Sequence, residues 1–190
     1  MYDHGSTTAT RTPLGFSFSD CLRNELRREQ LAVESAPLAM ELIHSTPTVE
    51  LYSEVLRRWY RVVSTIQPGA DRALGVTAPE MGWLESDLED LGKVPCARWT
   101  DAPDFTHAES LGYRFAIESQ HLRSRVILPV IRSALEGQTS SFRFFGAHGG
   151  LATPWRAIVG SIDSLEPDQR RDVLVGARAT LVALDRALSD

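Results

Sequence analysis

The sequence is poor in cysteine. Cys21 and Cys96 lie far apart, with no CxxC pair and no histidine at metal-ligand spacing from either. This rules out a disulfide-stapled scaffold and a structural zinc motif. The reading adopted is two reduced thiols in a cytosolic protein, with a single disulfide left open. No apolar run approaches the roughly 20 residues that span a bilayer, so no membrane association is expected. Residues 1–12 lack a basic segment followed by an apolar one, so no secretory signal is expected and the protein is placed in the cytoplasm. Lysine is nearly absent: Lys93 is the only one among 20 basic residues, which reads as codon usage. Those 20 face 25 acidic residues, for a net charge of −5. Without a basic surplus the chain is not expected to bind nucleic acid, which requires a concentrated cationic surface. Period-2 alternation, internal repeats, P-loops, HExxH and GxSxG elbows are all missing.

What is present is helical. The chain has 190 residues, 43% hydrophobic and 24% charged, the size and balance of one globular domain. Residues 1–16 read as a flexible leader and residues 17–190 as the domain. Ser17 or Ser19 caps a first helix on which Leu22, Leu26, Gln30 and Val33 share one face. Further helices are expected over Leu38–His44, over Val49–Ile66 with Pro68-Gly69 closing it, and over Trp83–Leu91 ahead of Gly92. Residues 93–105 form a connector. The longest pattern runs from about Thr106 to Leu135. Leu111, Phe115, Glu118, Leu122, Val126 and Pro129 form its stripe, Pro129 is expected to kink it, and Gly137 to end it. Ser141–Phe145, a turn at Gly146–Gly150, a helix from Pro154 and a last helix over Pro167–Leu188 complete an all-α, single-domain bundle.

One local pattern has metal-ligand spacing. Glu118 and His121 at i and i+3 on a helix are half of a di-iron carboxylate site. The repeat of the pair and the extra carboxylates are not found, so Glu118 and His121 read as a structural pair or a solvated face and no metal site is assigned. A metal-dependent oxidase built on them is the weakest of three functional readings. His4, His44, His107 and His148 fall in the leader, at helix ends or in loops, and read as surface or capping residues. Trp59, Trp83, Trp99 and Trp155 read as core or interface anchors.

The block Leu111-Gly-Tyr-Arg-Phe-Ala-Ile-Glu-Ser-Gln-His-Leu-Arg-Ser-Arg-Val126 resembles the distal helix of the bacterial, bacteriophytochrome-associated heme oxygenases, usually written LGxLYVLEGSxLGGRVL. Leu22-Arg23 through Glu34 is similar to that family's first helix. Leu84–Gly92 resembles its LxxDLxxLG segment. Phe142-Arg-Phe-Phe145 with Trp155-Arg156 is similar to its RFF…G…WR stretch, and Ala177–Leu184 to its closing helix. The resemblance spans residues 20–188 and implies a heme oxygenase-like helical bundle with a ligand pocket between the first and distal helices. In such a family heme is the substrate and cofactor, and biliverdin the product.

The departures fall at the family's heme-handling positions. The first helix of the family supplies a proximal histidine, and that position is Gln30 here. A carboxamide is a poor iron ligand. The distal glycines let the helix backbone pass close to the porphyrin face. Their positions are Ser119, Arg123 and Ser124, with Gln120 beside them where the family organises distal water. His121, one turn from Ser124 on the distal helix, would approach iron from the wrong side. Arg23, Arg123 and Arg125 are candidate contacts for an anionic ligand such as tetrapyrrole carboxylates. The leading expectation is a degenerate heme oxygenase-like protein. It would not be competent in ordinary heme ring opening, and would bind or regulate a protein partner or a tetrapyrrole. The alternative is an active heme oxygenase with an unusual axial ligand, which would need an electron donor.

Overall fold

The computed structural model describes residues 17–95, 103–146 and 152–190. The leader expected over 1–16, Cys96, Trp99 and His148 lie outside the described residues. Among those described, the chain forms nine helices and no strand, as expected of an all-α domain. They are α1 (Phe18–Glu25), α2 (Arg27–Ser35), α3 (Pro37–His44), α4 (Val49–Leu74), α5 (Glu80–Asp90), α6 (His107–Ala134), α7 (Arg143–Gly146), α8 (Ala152–Asp163) and α9 (Arg170–Ser189). No helix among them is long and apolar enough to cross a membrane.

Helix starts follow local chemistry. Ser17 caps α1 by accepting from the Asp20 amide, and Thr48 caps α4 by accepting from Leu51. Thr106 and Glu109 close a reciprocal capping box on α6, which satisfies two amides that a helix start leaves orphaned. The expected first helix is broken once, at Leu26, into α1 and α2. Leu22, Leu26, Gln30 and Val33 are nonetheless all buried, so the turn at Leu26 preserves the inward face.

Two expectations need correction. Pro68-Gly69 does not end α4, which continues to Leu74 and stops at Gly75 in a left-handed conformation. Tertiary contacts hold the extra turns helical although Pro68 lacks a donor. Gln67 accepts from the Met81 amide, Asp71 accepts from the Ala78 amide, and a Cβ on Gly69 would sit 2.2 Å from the Pro103 carbonyl oxygen. Gly69 is thus a point of close approach. The stripe proposed for α6 also holds only in part. Leu111, Phe115 and Glu118 are buried, but Val126 is 79% exposed and Pro129 is exposed, because past Ser124 only the side of α6 bearing Ile131 faces neighbouring helices. Pro129 lies inside α6 and does not interrupt it.

The core is organised around α6, which packs against α3, α4, α7, α8 and most extensively α9. The α6–α9 crossing is a backbone contact. A Cβ on Gly112 would lie 2.1 Å from the Val173 carbonyl oxygen, and one on Gly176 2.1 Å from the Glu109 carbonyl oxygen. Helix α7 is fixed by a buried carboxylate: Asp87 of α5 accepts from the backbone amides of Arg143 (3.0 Å) and Phe144 (2.8 Å). Burial pushes the Asp87 carboxyl up, and the two amides and the Arg143 guanidinium pull it back.

Gly112→Ala should therefore lose about 3 kcal/mol through overpacking. Gly160→Ala, exposed inside α8 with nothing near its Cβ, should gain about 0.5–1 kcal/mol from helix propensity. Urea unfolding of both variants checks the pair, and equal effects would contradict this account of the crossing. Asp87→Ala strands two amides, the buried one of Phe144 and the part-buried one of Arg143, and should cost about 2–4 kcal/mol in the same assay.

Candidate functional site

The candidate site lies where α2, α3 and α4 face the middle of α6. Gln30 of α2 is buried, 6% exposed, and its carboxamide nitrogen is 3.5 Å from the Ser119 hydroxyl of α6, a long and weak hydrogen bond. Ser119 in turn donates to the Ala116 carbonyl at 2.7 Å. One turn further along both helices, Glu34 of α2 forms an ion pair with Arg123 of α6. Residues 30 and 34, like 119 and 123, are four apart and so share a helix face. The two contacts are successive rungs between α2 and α6.

Below the second rung is a pocket of about 70 Å³. Its walls are apolar, including Val33, Leu42, Trp59, Ile127 and Phe145, and its polar lining comes from Glu34, Gln120, Arg123 and Ser124. The Gln120 side-chain nitrogen is buried without a hydrogen-bond partner among the described residues. The Ser124 hydroxyl donates to the His121 carbonyl at 2.7 Å and also lies 3.2 Å from the Phe145 carbonyl, at the junction of α6 with α7. Burial draws the Arg123 guanidinium down.

The structure thus brings Gln30, Ser119, Gln120, Arg123 and Ser124 into one region. It does not bring Arg23 or Arg125 there. Arg23 pairs with Asp20 at 2.9 Å and lies over the Trp155 ring, and Arg125 is exposed outside the pocket lining. These residues do not fit an iron porphyrin held by an axial imidazole. The position that the resemblance would give to an iron-binding imidazole carries the Gln30 carboxamide, which is directed at Ser119. The pocket of about 70 Å³ is far below the roughly 300–1,000 Å³ of ligand pockets.

On another face of α6 the structure assembles a buried ionic cluster that sequence reasoning only half found. Arg114 places Nη1 2.7 and 2.8 Å from the two oxygens of Glu80 on α5, and Nη2 2.9 Å from Glu118 Oε1. His121 follows one turn on, stacked on Trp59 and edge-on to Phe144. Glu80, Glu118 and His121 are 1%, 3% and 1% exposed, which rules out the solvated-face reading of Glu118 and His121. The spacing of Arg114 and Glu118, four apart, was a readable signal. Glu80 carried none, because it belongs to another helix. Burial pushes the Glu118 carboxyl up, with Arg114 opposing and Glu80 adding to the rise. Of the remaining histidines, His44 and His107 are exposed at helix ends. Trp59 is buried, and Trp83 and Trp155 pack partly buried against the core.

No protein-family model matches the sequence, and no curated protein matches it. Solved structures do match the fold. The NO- and CO-bound heme oxygenase of Neisseria meningitidis superposes with a TM-score of 0.73 at 16% identity, over 92% of this chain and 91% of that one. The heme oxygenase of Leptospira interrogans gives a TM-score of 0.68 at 14% identity, over 92% and 99%. The chain has a heme oxygenase-like fold.

Arg114→Met would leave two carboxylates buried without their cation and should destabilise the fold by about 3–5 kcal/mol above neutral pH. The sign of the pH dependence follows from the raised Glu118 carboxyl. A carboxyl whose folded pKa exceeds its unfolded one favours folding below the unfolded pKa, and that benefit is lost as pH rises through the folded pKa. The deficit of the variant should therefore shrink in mild acid. Urea unfolding of both forms across this range tests it, and a deficit independent of pH would refute it.

Proposed function

We propose that this chain is a degenerate heme oxygenase-like protein that does not carry out ordinary heme ring opening. It acts in the cytoplasm as a binding or regulatory protein for a protein partner or a tetrapyrrole. The observation that carries this reading is the pair of rungs between α2 and α6, Gln30 to Ser119 and Glu34 to Arg123. Family resemblance assigns Gln30 to the position of the axial histidine, and Ser119 and Arg123 to positions of close backbone approach.

Both substitutions act in the same direction. A carboxamide donates little electron density to iron compared with a neutral imidazole. An arginine side chain takes up volume where glycine leaves a cleft. Restoring either alone leaves the other obstacle in place, so the two effects should be coupled.

The deciding experiment is a hemin titration followed in the Soret region. The natural sequence should show no saturable one-to-one binding. Gln30→His with Arg123→Gly should bind at least about tenfold more tightly than the natural chain, a difference of about 1.4 kcal/mol. Saturable binding by the natural chain, followed by reductant-dependent conversion of heme to biliverdin, would overturn the reading in favour of an active heme oxygenase with an unusual axial ligand.

A further inference from the structure

The Glu80–Glu118–His121 cluster plays no part in the reading above, yet its chemistry is incomplete. Two carboxyl groups and one guanidinium are held within hydrogen-bond distance in the core. Arg114 satisfies both oxygens of Glu80 but only Oε1 of Glu118. Glu118 Oε2 is buried with no hydrogen-bond partner among the described residues. A buried, partnerless carboxylate oxygen is expensive, and proteins meet that cost with a donor or a cation.

The donor set suits a cation. One carboxylate oxygen from each glutamate and one imidazole nitrogen lie within 4.8 Å of one another. Bonds of about 2.0–2.2 Å to each draw these three atoms closer together around the ion. Mixed oxygen and nitrogen donors favour first-row divalent ions over calcium or magnesium, which prefer oxygen alone. We propose that Glu80, Glu118 and His121 form a binding site for one first-row divalent cation, which ties α5 to α6. Arg114 bonds both carboxylates and holds them together against their mutual repulsion. Because all three ligands are buried, the site is structural, closed to substrate, and distinct from the α2–α6 pocket.

The test uses the full chain, stripped with chelator, unfolded in urea and refolded with cobalt(II) chloride so that a buried site can load. The refolded protein should retain one equivalent of cobalt after gel filtration and show visible d–d bands of a ligand field with nitrogen. Glu118→Gln and His121→Ala should each weaken retention by at least about tenfold, while Glu136→Gln, on the exposed surface, should not change it. Absence of cobalt in the refolded natural chain, or retention by both ligand variants as strong as that of the natural chain, would overturn the proposal. If either variant fails to refold by circular dichroism, the natural chain still decides. Cobalt held with the pale spectrum of an all-oxygen, water-like shell would place the ion on the surface and refute the site.

Discussion

The contact on which the other arrangements rest is the crossing of α6 and α9 at Gly112 and Gly176. Each glycine sits against a backbone carbonyl of the opposite helix, at distances that admit no side chain. At such a crossing the axes come closer than the roughly 8–10 Å usual for packed helices. Leu181, Leu184 and Leu188 of α9 extend the seam into the core. With α9 so close on one side, α4 and α8 cover others, and residues 110–121 of α6 are largely buried.

That burial explains why α6 carries so much polar chemistry indoors. Ser110, Glu118, Ser119, Gln120, His121 and Ser124 are all buried on it. Each small hydroxyl turns back to a carbonyl of its own helix: Ser110 to Thr106, Ser119 to Ala116, Ser124 to His121. Such bonds satisfy the donor without a partner from another element. Two of the larger groups reach across instead, Arg114 to Glu80 of α5 and Arg123 to Glu34 of α2. A buried ion pair adds little net stability over a packed apolar one, since desolvation offsets the attraction. Its effect is on geometry, since Arg114 can chelate both carboxylates only when α5 and α6 are in one register.

The same division between local and distant partners decides what was legible beforehand. The Ser17 cap and the long α6 from Thr106 were written in neighbouring residues, and the structure agrees with them. The break at Leu26 was invisible because the apolar spacing runs through it unchanged. Pro68-Gly69 misled for the opposite reason. Its local signal is a strong stop, but the contacts of Gln67, Gly69 and Asp71 with residues 78–81 and 103 override it, as tertiary packing often overrides propensity. The region of Gln30 and Arg123 was legible only through resemblance to a family; nothing in their spacing pairs one with Ser119 and the other with Glu34. Glu80 was beyond reach, since only the fold brings α5 to α6.

The two rungs also bear on how such a pocket closes. A flat ligand between two helices requires that neither reach across, which demands short residues on one and a single long ligand on the other. Here both helices reach across. Arg123 on α6 is long and charged, and Glu34 on α2 supplies its counter-charge. Both side chains are 38% exposed, so solvent screens the pair and its net worth is small. The pair therefore adds little to the stability of the fold. The Gln30–Ser119 contact, deeper and at the 3.5 Å limit, is weak as well. Neither rung alone holds α2 on α6. The closure rests on the apolar side chains beneath them, Val33, Leu42, Trp59 and Phe145, with the polar rungs fixing which parts of the two helices face each other.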